Sequence, residues 1–460
     1  MRILVLLQRC LGLVSFALLL QAVAPPAGRA QTGLTIYSDG RVLVRRTLPV
    51  AVASGMSNHR LSLGVLDPSS VFALDSGVVL LGAAYDESVD EQNTMRRAVG
   101  QGLKFWTGRG GALDTVAATV VGVNPERFRL TDGRVVFQRP GTPLYPAELV
   151  LPDPTLALAL RSPAARSSLR LGYFTQGASW SAAYTVILGR GTARVSGHAA
   201  IPSASLRVSD AEVQLLAGSV GRATPGPRPR MEFEAKAMAD MAQSAAGEQQ
   251  IGEAHLYTIP GRISLDPGVT SSVALFDPAT APWERAYVLR GQLNYYGPLQ
   301  QYGNEENSVP VEVWYTLKRQ PKTPFGDLPL PQGSYRLYEA DAAGRLQLIG
   351  ESAAGHIAAG SDVRLPAGSA FDLTATRVQT SYSTRRDSTR TIATADYRVT
   401  IKSAKDSAAT VEVLEERGGE WSIVSSSLPA EKLSSTRTRF RVRVPAQGEA
   451  TLTYRVRVVW

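Results

Sequence analysis

The sequence predicts an all-β, multi-domain protein. Short runs rich in Val, Thr, Tyr and Phe recur along most of the chain, many with the alternation of a half-buried strand. Gly, Asn and Asp turn signals separate those runs. Only residues 86–99 read convincingly as a helix in the first half of the chain. The expected organisation is a signal peptide at 1–30, an N-terminal β region at 31–85, a helix plus a small SH3-like barrel module at 86–150, a central β-sandwich-type domain at 151–374 and an Ig-like sandwich at 375–460.

The first segment carries the compartment. Arg2 and Arg9 open it, residues 11–24 form an apolar run of 14, and Pro25 and Pro26 end any helix. Gly28 and Ala30 supply small residues before Gln31, so cleavage is expected after Ala30. The apolar run is short of the roughly 20 residues that a membrane-spanning helix needs. No later segment reaches that length without charges, so no transmembrane helix is expected once the signal is removed. The only cysteine, Cys10, lies inside the signal. A chain without thiols excludes cysteine nucleophiles, iron–sulfur clusters and Cys-ligated zinc. Export without disulfides suits the bacterial periplasm or cell surface.

Charge is distributed unevenly. The formal net charge of the whole chain is +9. Residues 375–460 hold 15 Lys and Arg against 9 Asp and Glu, while residues 31–374 are formally neutral. A basic excess confined to one end does not suggest nucleic acid, which a globally basic domain would. On an exported protein it points to anionic envelope polymers.

The elements follow in order. Residues 34–37 and 41–44 flank Asp39-Gly40 and read as a hairpin. Residues 86–99 read as a helix, with Ser88 and Glu91 as a capping box and Gly100 as the stop. Strands are expected at 103–106, 115–123, 128–130 and 135–138, and Asp132-Gly133 repeats the hairpin turn. Residues 140–154 are a proline-spaced connector. In the strand 180–186, Trp180, Ala182, Tyr184 and Val186 share one face, which is expected to be core.

Residues 223–250 differ in kind. They are Pro-rich, then Ala-, Met- and Glu-rich, and are expected to be a flexible excursion. Met231, Met238 and Met241 cluster there, a composition of adaptable binding surfaces or copper tracts as well as of exposed loops. Strands resume at 254–259, 273–275, 286–289 and 311–317, and five more follow at sandwich spacing from Tyr397.

No catalytic or cofactor motif emerges. The histidines, His59, His198, His255 and His356, show no metal-ligand spacing. The string at 176–181 lacks the second glycine of a nucleophile elbow and leads into a strand. Phosphate-cradling and dinucleotide glycine motifs are missing, so no cofactor is expected.

Two segments are candidate binding surfaces. Arg437, Arg439, Arg441 and Arg443 alternate with Thr438, Phe440, Val442 and Val444, giving a strand with a cationic face and an apolar face. Arg455 and Arg457 repeat the pattern on the last strand, so pairing of the two strands would gather six guanidiniums. The other reading is a solvated face that discourages edge pairing. The loop 294–307 mixes Tyr295, Tyr296 and Tyr302 with Glu305 and Glu306, a composition suited to stacking on sugars or peptides as well as to a polar hairpin tip.

Several blocks carry a family resemblance. Residues 173–184 read YFTQGASWSAAY, residues 211–218 AEVQLLAG and residues 325–333 FGDLPLPQG. RLY at 336–338, IGE at 349–351 and GSAFDL at 368–373 follow. In these blocks the chain resembles the bacterial family called domain of unknown function 4139, from about Leu34 to its end. The same domain forms the C-terminal half of mucoidy inhibitor A-like proteins, which carry a coiled coil ahead of it. This chain shows no sustained heptads and has a small strand-rich module instead. The resemblance implies no activity and no catalytic residue.

Together these readings predict a non-enzymatic, exported β-protein that binds or scaffolds at the bacterial envelope, with an envelope polysaccharide or another envelope protein as partner. One alternative is an envelope glycan hydrolase, since a carboxylate pair meets only in three dimensions. The other is an outer-membrane β-barrel, suggested by an alternating last strand that ends in Trp460.

Overall fold

The computed structural model describes residues 31–108, 114–218, 220, 248–291, 293–302, 306–387 and 389–460. The signal segment with Cys10, the three clustered methionines and Glu305 lie outside the described residues. The fold is all-β: among the described residues 28 strands accompany two short α-helices. The strands form sheets of seven, five, three and thirteen members.

The first hairpin forms as its sequence requires. Thr32–Tyr37 pairs antiparallel with Val42–Leu48, and Gly40 takes the positive φ of 89° that an Asp-Gly turn needs. Arg41 closes back on Asp39 at 2.7 Å. The second hairpin, Glu126–Leu130 with Val135–Val136, repeats the device, Arg134 lying 2.5 Å from Asp132.

The N-terminal region and the central domain share one core. Thr32–Tyr37 runs parallel to Val208–Ala217, and Val42–Leu48 pairs with Leu169–Thr175. Leu34, Ile36 and Val44 pack in one cluster with Leu158, Tyr184 and Leu337. As expected, Ala182, Tyr184 and Val186 are buried along Ser181–Leu188, and Trp180 beside them is 5 % exposed.

The small module is an excursion from a three-stranded sheet. Val79–Asp86 and Thr155–Ser162 are adjacent antiparallel strands, with Asp86 facing Thr155. Between them lies a five-stranded sheet with its own core around Met95, Phe105, Val120 and Phe128. The helix there is shorter than its sequence suggests, Glu91–Arg97, and its cap is Asp90, not Ser88. Tyr85 and Asp86 are drawn into the sheet, and Asp86 itself accepts the Ser88 amide. The Asp90 carboxylate accepts the Asn93 amide, and Glu91 faces Arg139.

Three further expectations change. Residues 273–275 and 286–289 belong to one strand, Val269–Arg290, of 22 residues. Pro278 interrupts the pattern in sequence, but the strand tolerates it at a register shift against Thr192–Ser203. The excursion expected over 223–250 ends earlier, because Glu248–Ile251 pairs with Ala254–Leu265 around Gly252, at φ 60°. Finally, residue 375 lies inside the 25-residue strand Val363–Asp387.

That last strand does more than cross a boundary. Val363 and Leu365 belong to the first core, whereas Leu373 and Ala375 belong to a second core formed with the C-terminal strands. Val269–Arg290 does the same through Leu275 and Leu289, and Asn307–Leu317 through Leu317 and Val311. Three strands therefore run through both large cores without a linker.

Candidate functional site

The arginine strands do not assemble into one surface. Arg437–Val444 pairs with Ala409–Glu416, while Glu449–Val459 pairs with Arg390–Ser403. The Phe440 and Tyr454 rings meet 5.1 Å apart inside the second core. Their alternating arginines therefore point away from each other. Most are matched by acids: Arg437 with Glu416 at 3.1 Å, Arg439 with Glu412 and Glu431 at 2.9 Å, Arg441 with Glu431 at 3.1 Å and Arg455 with Asp396 at 2.6 Å. The arrangement is a cross-strand ion-pair ladder. Among the described residues, no ion pair engages Arg443 or Arg457.

The tyrosine loop is held from beneath. Arg417, 1 % exposed, donates to the carbonyls of Asn294 and Gly297. Gln379 accepts the Tyr302 amide at 2.7 Å and donates to the Gln300 carbonyl at 3.1 Å. Tyr382 donates to the Leu299 carbonyl, and Leu299 itself is buried. Tyr295 and Tyr296 stand edge to face above Gly418, with Tyr296 75 % exposed. A Cβ on Gly418 would collide with the Tyr296 ring.

Below the loop lies a polar cluster that the sequence reading missed. Arg377 Nη2 approaches Glu415 Oε1, Tyr454 donates to the same oxygen, and Arg377 lies 3.8 Å from the centre of the Tyr397 ring. Burial pushes the Tyr454 phenol well above its ordinary value, and the Glu415 charge adds to the effect. Burial, the largest single effect, would lower Arg377, but the facing Glu415 charge together with Tyr454 and Tyr397 outweighs it, and the guanidinium is held more firmly protonated. The signal was strand parity. Leu373, Ala375, Arg377 and Gln379 alternate on one face, as do Val411, Val413 and Glu415. Polar residues at inward positions mark a buried network.

The histidines stay apart. His59 contacts Ser57 at 2.9 Å, His356 accepts the Gln332 amide at 3.2 Å, and His198 and His255 sit on separate strands. Among the described residues, no three acidic, His or Cys side chains group as a metal site would require.

Among the described residues, two open clefts bear on function. One, of about 560 Å³, lies where the turns at Asp39–Arg41, Gln176–Ser179 and Gly268 converge. Gly177 has a φ of 104° and sits so close to the Ser205 hydroxyl that a Cβ would overlap it. Gly177 is thus a turn residue leading into the strand Ser181–Leu188. The other cleft, of about 610 Å³, opens at the seam between the two large cores. Trp283, Arg285 and Tyr287 line it from one face of Val269–Arg290. Asp372, Lys405 and Asp406 are also in its lining.

In the seam cleft, Trp283 packs against the first core and Tyr287 against the second. Lys405 Nζ and the Arg285 guanidinium lie 5.2 Å and 5.5 Å from the Tyr287 ring centre. Lys405 also lies 3.5 Å from Asp372. The Trp283 indole is committed to the Gly189 carbonyl at 3.0 Å.

No protein-family model matches this chain, and no curated protein matches it.

Proposed function

We propose that the chain is an exported, non-enzymatic β-protein that binds or scaffolds at the bacterial cell envelope, in the periplasm or on the surface. The observation that carries this reading is the linker-free junction, in which three strands each contribute to both large cores. Such a body holds surfaces on its two halves at a constant separation, as a scaffold must. We read the small module as SH3-like and the C-terminal unit as Ig-like in architecture, and keep the resemblance to domain of unknown function 4139 as the family expectation.

The two rival readings are less well supported. Glu415, the most buried carboxylate among the described residues, faces Arg377 and Tyr454, whereas a hydrolase site pairs two carboxyls. The outward positions of Arg437–Val444 carry an ion-pair ladder, whereas a membrane barrel presents an apolar band. Osmotic-shock fractionation of cells expressing the full chain tests the proposal. The chain is expected in the periplasmic or surface fraction with Gln31 as its first residue. Retention in the cytoplasm with residues 1–30 intact overturns it.

A further inference from the structure

We propose that the seam cleft binds a carboxylated sugar, the repeating unit of an acidic polysaccharide. The cleft's volume, about 610 Å³, falls within the range of small-ligand sites, about 300–1,000 Å³. Its lining mixes three chemistries. Tyr287 lines the cleft and holds the Arg285 and Lys405 cations at its ring. Arg285 is exposed and, among the described residues, makes no ion pair. A guanidinium matches a carboxylate in shape and can hold it through two parallel hydrogen bonds. Asp372, Asp406 and the hydroxyls of Ser407 and Thr410 can accept or donate to ring hydroxyls.

The two aspartates decide the class. They disfavour a densely charged ligand such as a polyphosphate or a sulfated chain, because like charges in one cleft repel. A polyol with one carboxylate per ring satisfies Arg285 and still presents hydroxyls to Asp372 and Asp406. Lys405 is already shared with Asp372, whereas Arg285, which rests on the Tyr287 ring beside the Tyr315 phenol, has no carboxylate partner among the described residues and is the cation open to one. Arg443 stands directly across the strand pair from the lining residue Thr410 and adds positive potential at the mouth. The seam location matters too. Tyr287 and Arg285 sit on a strand common to both cores, so their backbone positions are set before a ligand arrives.

The inference rests on the binding reading above for the ligand's source, and on the cleft alone for its chemistry. Isothermal titration of the purified mature chain tests it, with trigalacturonate as the acidic probe and maltotriose as the neutral one. The acidic probe is expected to bind at least tenfold more tightly. Arg285→Ala and Tyr287→Leu are each expected to weaken it at least tenfold, while the distant Arg455→Ala leaves it unchanged. Thermal unfolding of each variant confirms that the fold is retained. No binding of trigalacturonate, equal binding of maltotriose, unchanged binding by a folded Arg285→Ala variant, or tighter binding of dextran sulfate would each overturn the proposal. Release of reducing ends from polygalacturonate would overturn the non-enzymatic reading and leave the ligand class standing. A cytoplasmic chain that still binds trigalacturonate would overturn the envelope reading and likewise leave the ligand class standing.

Discussion

Arg377 Nη2 lies 3.2 Å from Glu415 Oε1, and the two side chains are 5 % and 0 % exposed. The pair sits where the second core would otherwise be apolar. Glu415 Oε2 has no hydrogen-bond partner among the described residues. Removing one member strands the other charge in a low dielectric, which costs about 3–5 kcal/mol, whereas replacing both by apolar residues can be neutral. Glu415→Ala is therefore expected to lower stability by about that amount. The double variant Arg377→Met with Glu415→Leu is expected to recover most of the loss. A double-mutant cycle by urea unfolding measures both, and strict additivity would contradict the pairing.

Gly177 is tied to its conformation twice, by its φ of 104° and by the Ser205 hydroxyl beside it. Gly177→Ala is expected to cost at least about 2 kcal/mol, since backbone strain alone is worth about 1–3 kcal/mol. Adding Ser205→Ala removes the hydroxyl but not the strain, so it should restore only part of the loss. Thermal unfolding of the single and double variants checks the order.

Arg417 fastens the tyrosine loop through the Asn294 and Gly297 carbonyls. Hydrogen bonds to a charged group contribute about 1.5–3 kcal/mol each. In Arg417→Met, opening of the loop should become at least about tenfold more frequent. Limited chymotrypsin digestion at Tyr295 and Tyr296 reads this directly. An unchanged cleavage rate would mean that Gln379 and Tyr382 hold the loop alone.

The small module should be sensitive to acid. Hydrogen bonds from Arg139 hold the Glu126 carboxyl below the usual carboxylate range, against a smaller opposing effect of burial. A carboxylate depressed in the folded state stabilises above its unfolded value, about 4.3, and that stability is lost as pH falls through the folded value. Calorimetric melting at about pH 6 and about pH 3 should therefore show a drop in the melting temperature. Arg139→Gln should shrink the drop, by no more than about 1 kcal/mol because water screens a half-open pair.

Strand content was readable because alternation and turn residues are local properties. Gly40 and Gly133 announce their hairpins, and the inward face of Ser181–Leu188 follows from parity alone. The extent of the long strands was not readable, because Pro278 looks like a stop until a partner strand absorbs the shift. The helix cap was misplaced for a similar reason: Ser88 and Asp90 both have capping chemistry, and the sheet decides which is free to cap. At the candidate sites, sequence placed the arginine faces correctly on their strands but not the strands beside each other. The seam cleft was invisible, since Arg285 and Lys405 are separated by over a hundred residues and meet only around Tyr287.

The pairing of Asp86 with Thr155 makes the small module separable. The chain departs and returns at neighbouring points of one ladder, so everything between could be exchanged for a tight turn without rerouting the rest. A body built this way can gain, lose or trade an appendage in one recombination event while its larger architecture is inherited intact.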